Sequence, residues 1–215
     1  EKTNGRGLIC IPSGNHDMDR LARSLSPEEM KIAFAFLLSM PGAPFIYYGD
    51  EIGLRYVEGL TSVEGGYGRT GSRSPMQWDK TPNAGFSSAP AEKLYVKQDD
   101  APDRPDAASQ CADETSLRSE VKRLIALRMA HPALQSKGTV SFCADNYPLA
   151  YVRSSAEESI LVIINPSAAP AVLSAEELCA ANKKILYTVG GTVKENADHT
   201  LQVDGGTAAF IALTK

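Results

Sequence analysis

The sequence predicts an α/β fold over its front part and an all-β antiparallel sandwich over its last part. In the front part, continuous apolar runs alternate with a stretch of helical period; from Gly138 onward the period changes to near two. The composition, 43% hydrophobic and 22% charged with a net charge of −4, is that of an ordinary globular protein. We therefore expect a domain boundary near Lys137–Gly138, giving domains 1–137 and 138–215.

The front part begins with a strand, a helix and a second strand. Residues 7–12 (GLICIP) form a short continuous apolar run, the pattern of a strand that is buried on both faces. Ser26 can cap a helix whose first residue is Pro27, and the helical pattern ends at Pro41-Gly42. Residues 44–48 (PFIYY) then read as a second apolar strand. Strand–helix–strand is the unit of a parallel sheet.

A long segment without a sustained period follows, over about residues 53–110. It is rich in Gly, Pro, Ser and Asp, and its end (KQDDAPDRPDAASQ) reads as an exposed turn. A helix is predicted from Asp113 to His131-Pro132. Four apolar side chains are predicted to share one face of it: Leu117, Val121, Leu124 and Ile125.

After Gly138, six short β-rich runs are separated by turn signals such as Asn-Pro and Gly-Gly: TVSFCA, LAYVRS, SILVIIN, AVLS, KILYTV and AAFIAL. This spacing predicts an antiparallel sandwich. Four cysteines lie far apart without a C-x-x-C pair, which makes a zinc site improbable and favours small buried hydrophobic side chains; a disulfide stays possible.

The front part looks incomplete as a domain. Parallel strands need both faces covered, and two of them cannot bury themselves as a pair. Each strand here is followed by a polar cluster, Asn15-His16-Asp17 after the first and Gly49-Asp50-Glu51 after the second. In a (β/α)₈ barrel, catalytic groups lie at the carboxyl ends of the strands, so the two units would form a quarter of such a barrel. We expect the remaining strands upstream.

Three motifs in chain order, GNHDMDRLAR, PGAPFIYYGDEIGL and RSPMQWDKTPNAGFS, resemble the last third of an alpha-amylase-type glycoside hydrolase. The resemblance is to the alpha-glucosidase, oligo-glucosidase and trehalose-synthase-like branch. It implies a partial (β/α)₈ TIM barrel that contains the last two strand–helix units, followed by the β-sandwich.

The resemblance implies a retaining mechanism with three carboxyl groups, of which Asp17 matches the one that stabilises the transition state. His16 matches the neighbouring histidine that binds the sugar. A carboxylate can accept from two adjacent ring hydroxyls, and an imidazole can donate to one of them. Without the motifs downstream, a simple turn in which Asn15 and Asp17 cap backbone amides would be the better interpretation.

Four further residues are candidates for substrate binding, and two of them, Arg20 and Trp78, have a structural alternative. Arg20 would pair with an acidic group near the site or form a surface ion pair. Arg73 and Gln77 can donate to sugar hydroxyls, and Trp78 can stack on a sugar face. Trp78 could equally anchor the loop on the barrel.

The resemblance places the nucleophilic aspartate and the acid/base glutamate upstream, so this chain alone is expected to be inactive. Family calcium sites also lie upstream; we therefore assign no metal and no cofactor to these residues, and expect calcium, if any, in the upstream part. The opening residues carry no apolar core of a signal peptide, and nothing indicates a compartment.

The expected partner is an alpha-glucan or oligosaccharide substrate. A pI near 5.5 argues against a nucleic-acid or anionic-membrane surface, and no apolar run is long enough to span a membrane. Unpaired barrel edges would favour self-association of the chain. Two other functions compete: a transglycosidase or isomerase such as a trehalose synthase, and a non-catalytic amylase-like scaffold or transporter subunit.

Overall fold

The computed structural model describes residues 7–65, 68–144, 147–174 and 182–214. Among these residues, the front part contains two short strands, three α-helices and six short 3₁₀ helices. In chain order the strands and α-helices are β1 (Cys10–Pro12), α1 (Pro27–Ser39), β2 (Ala43–Phe45), α2 (Ala107–Ala112) and α3 (Leu117–Ala130). Within the described ranges, the strands form no closed barrel. None of the helices there has the length and apolar character needed to cross a membrane.

Strands β1 and β2 pair with each other and run parallel. The amide of Ala43 donates to the carbonyl of Ile9 at 2.9 Å, and the amide of Ser13 donates to the carbonyl of Phe45 at 2.8 Å. Both chains advance in the same direction between these two bonds, which is the parallel pattern. The expected burial on both faces is wrong in this structure, since Ile9 is 61% exposed. A sheet of two strands leaves most of each strand uncovered.

Helix α1 begins as its sequence predicts. The Glu29 carboxylate accepts from both the amide and the hydroxyl of Ser26 at 2.8 Å, and the Glu29 amide donates back to the Ser26 hydroxyl at 3.3 Å. This reciprocal pair is a capping box. The hydrogen bonds from Ser26 lower the pKa of the Glu29 carboxyl.

The long segment after β2 is built of short turns and loops held by side chains. Its end is not the exposed turn that the sequence predicts, because Asp99 and Asp106 are buried. The Asp106 carboxylate accepts from the Ser109 amide at 2.7 Å and so caps α2, a helix the sequence pattern does not indicate. In α3, three of the four expected apolar side chains are buried, but Ile125 is 37% exposed.

The described residues of the last part form eight strands in two antiparallel sheets. All six predicted strands are present: β3 (Thr139–Ala144), β4 (Leu149–Ser154), β5 (Ser159–Asn165), β6 (Ala171–Leu173), β7 (Asn182–Val189) and β10 (Thr207–Thr214). The sequence pattern missed β8 (Val193–Glu195) and β9 (Leu201–Val203). The first sheet has the order β3-β4-β5-β10-β7 and the second β6-β9-β8. Side chains of both sheets share one apolar core, which includes Leu161, Leu173, Val203 and Ile211.

The described chain divides into two compact units. One contains the residues up to Ile11, Lys31–Pro44 and the chain from Arg123 onward; the other contains Pro12–Met30 and Phe45–Lys122. The domain boundary predicted near Lys137–Gly138 marks the change from α/β to all-β structure along the chain. The two compact units are not divided at this position, and the predicted boundary stays a prediction. Cys10 and Cys111 are exposed rather than buried, and Cys179 lies outside the described residues.

Within the first unit, a buried arginine holds main-chain carbonyls together. Arg153 on β4 is buried, and its guanidinium donates to five carbonyl oxygens, those of Ser39, Leu134, Gln135, Gly138 and Thr139. Arg128 donates to the carbonyls of Leu38, Met40 and Gly42 at 2.7–2.9 Å. Several of these carbonyls are at the end of α1, where a helix has no internal donors and cations are favoured. Burial, with the charge of Arg128, lowers the pKa of Arg153 to about 10.

Candidate functional site

The candidate site begins at the turn that follows β1. The Asp17 amide donates to the Asn15 side-chain oxygen at 2.8 Å, which closes a local turn. The turn leaves both neighbouring side chains open to solvent, with His16 65% and Asp17 44% exposed. The imidazole Nε2 of His16 lies 3.4 Å from Oδ2 of Asp17. The two residues predicted to hold a sugar are therefore adjacent and accessible.

Two arginines from the Thr70–Arg73 turn region bind the Asp17 carboxylate. Arg73 Nη2 donates to Asp17 Oδ1 at 2.8 Å, and Arg69 Nη1 lies 3.2 Å from the same oxygen. Arg73 Nε also donates to the main-chain carbonyl of His16 at 3.0 Å. The sequence predicts Arg73 near the site but does not indicate Arg69. The sequence signal that could have indicated Arg69 is its position four residues before Arg73 in a loop rich in Gly and Ser.

The segment that carries Arg73 is itself attached to the turn after β1. The Ser72 hydroxyl donates to the carbonyl of Met18, and the Tyr47 hydroxyl donates to the carbonyl of Ser72 at 3.2 Å. Thr70, Gly71 and Ser72 are buried. The arginines therefore extend from a packed segment rather than from a free loop.

Arg20 lies beneath this turn and is buried. Its Nη1 is 3.0 Å from Asp50 Oδ1 and donates to the carbonyl of Tyr48, while its guanidinium stacks on the rings of Tyr47 and Tyr48. Asp50 also accepts from the Ser13 hydroxyl at 2.7 Å. Of the two alternatives for Arg20, the structure has the pairing with an acid near the site. Direct sugar binding by Arg20 is not supported, because its side chain has no exposed surface.

The turn after β2 depends on glycine. Asp50–Ile52 forms one 3₁₀ turn, flanked by Gly49 at φ 85° and Gly53 at φ 70°. Both values lie in the left-handed region, which side chains with a Cβ rarely adopt. At Gly49 a Cβ would also come within 2.8 Å of the Leu54 side chain. The two glycines let the chain turn sharply a few residues after β2 and bring Asp50 into contact with Arg20.

A cavity of about 460 Å³ lies in the second unit; we call it the aromatic cleft. Its walls include the rings of Tyr48, Trp78, Phe86 and Tyr95, together with Glu51 and Arg73. Trp78 is 52% exposed. Arg73 thus belongs both to the wall of the cleft and to the contacts of Asp17.

The polar groups near the cleft differ in accessibility. Gln77 is buried, and neither its side-chain oxygen nor its nitrogen has a hydrogen-bond partner among the described residues. The structure therefore does not support Gln77 as a direct sugar contact. Oε2 of Glu51 also has no hydrogen-bond partner among the residues that the structure describes. Burial raises the pKa of the Glu51 carboxyl.

The main chain around Trp78 is fixed on both sides. The Trp78 amide donates to the carbonyl of Ala84 at 2.8 Å, and the Trp78 carbonyl accepts from the Ala108 amide at 2.9 Å. In the described ranges, no group of three or more His, Cys, Asp or Glu side chains is arranged to hold a metal ion.

Known proteins resemble this chain in sequence. The family model of the alpha-amylase catalytic domain matches residues 2–137. "Trehalose synthase/amylase TreS" of Mycobacterium tuberculosis is 36% identical over 162 residues, which cover 70% of this chain and 26% of that protein. A "probable alpha-glucosidase" of Rhizobium meliloti is 30% identical over 225 residues, covering 96% of this chain and 39% of that protein.

Solved structures resemble it in fold. The isomaltulose synthase SmuA from Protaminobacter rubrum superposes with a TM-score of 0.81 at 22% identity, over 99% of this chain and 44% of that chain. The chain thus spans between a quarter and a half of the length of these relatives. The match over most of the front part, with the relatives in sequence and fold, shows that the chain belongs to the alpha-amylase family.

Proposed function

We propose that residues 1–137 are the last two strand–helix units of a (β/α)₈ catalytic barrel and that residues 138–215 are the β-sandwich that follows it. The parallel pairing of β1 and β2 supports this, because every strand pair of such a barrel is parallel. The position of the polar clusters, which begin within four residues of the end of each strand, supports it as well. The exposed side chains of Ile9 and Phe45 favour self-association of the chain when nothing else covers them.

The proposed enzyme acts on alpha-glucosidic bonds of oligo- or polysaccharides with retention of configuration. In this mechanism a carboxylate attacks the anomeric carbon while a carboxylic acid protonates the departing oxygen, and the glycosidic bond breaks. Water then attacks the glycosyl intermediate, gives its proton to the same acid/base group and releases the nucleophile. We propose that both groups lie outside the 215 residues, so that the chain alone has no activity.

We assign Asp17 the role of stabilising the transition state, with His16 beside it. The observation that carries this assignment is the open carboxylate of Asp17 at the end of a parallel strand. Both arginine contacts go to Oδ1, and Oδ2 faces the imidazole of His16. A sugar hydroxyl donating to Oδ2 gains strength as positive charge develops on the ring in the transition state.

The aromatic cleft is proposed as the place where more distant sugar units bind. Its rings offer flat apolar faces for stacking, and Trp78 is the most exposed part of the Met76–Trp78 segment. Arg73 would connect this cleft to Asp17 rather than act only as a sugar donor. Arg20 and Gln77 would support the site from below.

A second function, transfer of the glycosyl group to a sugar hydroxyl instead of water, is favoured by the relative named trehalose synthase/amylase. Transfer and hydrolysis use the same first step, so Asp17 and His16 would serve both. The products separate them: maltose gives only glucose by hydrolysis and trehalose by transfer with rearrangement.

Two measurements test the proposal. The 215-residue chain is incubated with maltose, isomaltose and starch, and no product should form above background. When the chain is joined to the upstream part of a family catalytic domain, Asp17→Ala should lower kcat by about 10²–10³-fold, the range for loss of one transition-state contact. Asp19→Ala, an exposed carboxylate that pairs with Arg23, is the matched control. Equal activity of the Asp17 and Asp19 variants would refute the assignment.

A further inference from the structure

We propose that Arg73 is a positioning residue that fixes the orientation of Asp17 and of the turn bearing it. The inference rests on the proposed function, which it deepens. One guanidinium donates at 2.8 Å to the Asp17 carboxylate and at 3.0 Å to the carbonyl of His16. Arg73 therefore holds a side chain and the preceding main chain with a single planar group.

Such a contact is needed because the local chain does not fix Asp17. The Asn15 turn bonds the Asp17 amide but leaves the carboxylate free to rotate about its side-chain torsions. A group that stabilises a transition state must keep its geometry within about 0.5 Å. The planar fork of arginine suits this task, since its two donors have a fixed angle between them.

The anchor of Arg73 is rigid enough for the task. The Thr70–Arg73 turn is buried on its inner side, and Ser72 is bonded both to Met18 and to Tyr47. Movement of the main chain at Arg73 would require these contacts of Ser72 to break together. The turn after β1 and the turn that carries Arg73 consequently behave as one braced element.

Arg69 has a different part. Its side chain is 57% exposed, and its contact goes to Asp17 Oδ1 at 3.2 Å. It adds positive charge at the same oxygen, whereas Arg73 also bonds the main chain. Because both arginines use Oδ1, the Oδ2 oxygen is directed to the side of His16, where a sugar hydroxyl can approach.

The test compares four variants of the 215-residue chain, Arg73→Gln, Arg73→Lys, Arg69→Gln and Arg23→Gln. Arg23 is an exposed arginine with two carboxylate partners in the same unit, so it controls for the loss of a charge. Three-bond NMR couplings of Asp17 report whether its χ1 torsion occupies one rotamer or averages between several. These couplings are measured without any sugar present.

We expect a single rotamer in the original chain and in the Arg23 variant, and averaged couplings in Arg73→Gln. Arg73→Lys keeps one donor of the fork and should give intermediate couplings, while Arg69→Gln should change them least. If Arg73→Gln fails to fold, as judged by circular dichroism, Arg73→Lys alone decides. Couplings in a folded Arg73 variant equal to those of the original chain would overturn the proposal.

The kinetics of the 215-residue chain joined to the upstream part of a family catalytic domain give the second readout. Misplacement of Asp17 should lower kcat up to about 10²-fold with little change in KM, since the loss is confined to the transition state. An unchanged kcat, with Asp17→Ala strongly impaired, refutes the positioning role. If Asp17→Ala is also fully active, the proposed function fails, while averaged couplings would still establish Arg73 as the group that orients Asp17.

Discussion

Replacing Tyr151 with phenylalanine removes one hydroxyl from the interior of the unit that contains the sandwich. Tyr151 is fully buried on β4, and its hydroxyl lies 2.5 Å from the hydroxyl of Ser39. The Ser39 hydroxyl also lies 2.6 Å from the carbonyl of Ala35 and donates to it, so the tyrosine is the donor in the pair. At neutral pH the loss of this bond should lower the free energy of unfolding by about 1 kcal/mol.

In alkaline solution the sign of the effect should reverse. Burial raises the pKa of Tyr151 to about 12 from its ordinary value of 10. The unfolded chain therefore ionises this group first, and stability is lost as the pH rises from 10 to 12. Two pKa units correspond to roughly 3 kcal/mol when the group is ionised in both states, and most of this stability is lost by pH 12. Phenylalanine cannot ionise, and the two proteins should be equally stable at about pH 10.6, where ionisation of the unfolded tyrosine offsets the bond.

Urea denaturation followed by circular dichroism measures both effects. The series runs from pH 7 to pH 11.5 for the original chain, Tyr151→Phe and Tyr147→Phe, the last being a control at an exposed tyrosine. Other tyrosines titrate equally in all three proteins and cancel in the differences. A difference between the original chain and Tyr151→Phe that is absent at pH 7, or that does not shrink above pH 10, would refute the reasoning.

Two further predictions concern single carboxyl groups. Burial raises the pKa of Glu51, so ionisation of its carboxyl makes the folded state less stable as the pH rises above about 4.5. Glu51→Gln should therefore raise the melting temperature at pH 7 and change it little at pH 4. A melting temperature that falls at pH 7 would contradict this. Hydrogen bonds from Ser26 lower the pKa of Glu29, so the ionised carboxylate stabilises the folded state above its ordinary pKa and this contribution is lost in acid. Ser26→Ala should therefore lower the melting temperature by about 2–4 °C at pH 7 and by less below pH 4. An equal loss at both pH values would exclude the capping box as its cause.

Strong local patterns allowed much of the fold to be predicted. The six predicted β-runs are rich in apolar residues and bounded by clear turns, and α1 carries its own capping signal in Ser26 and Glu29. The missed strands β8 and β9 have three residues each, and in both charged or polar residues interrupt the apolar pattern, as in Val193–Glu195. Strand β6 is equally short but lies in the apolar run AVLS, which made it recognisable. Helix α2 has six residues and depends on the Asp106 cap. The prediction that β1 is buried on both faces was wrong because burial depends on the elements packed against a strand, and an apolar run in the sequence does not specify those elements.

The site was predictable only where neighbouring residues define it. His16 and Asp17 are adjacent in sequence, and the structure has them adjacent and open. Arg73 contacts Asp17 across 56 residues and Arg20 contacts Asp50 across 30, so their partners follow from the fold rather than from any spacing. The burial of Gln77, beside an exposed Trp78, is likewise set by the packing of the long segment.

The buried arginines and the exposed ones respond differently to ionic strength. Arg153 holds carbonyl dipoles in the interior, where dissolved ions cannot approach, whereas Asp17 meets Arg69 and Arg73 at the surface. Added salt screens the surface charges and leaves the interior contacts unaffected. A buffer change from dilute to concentrated electrolyte would thus loosen the proposed sugar-holding turn while the scaffold around Arg153 keeps its strength.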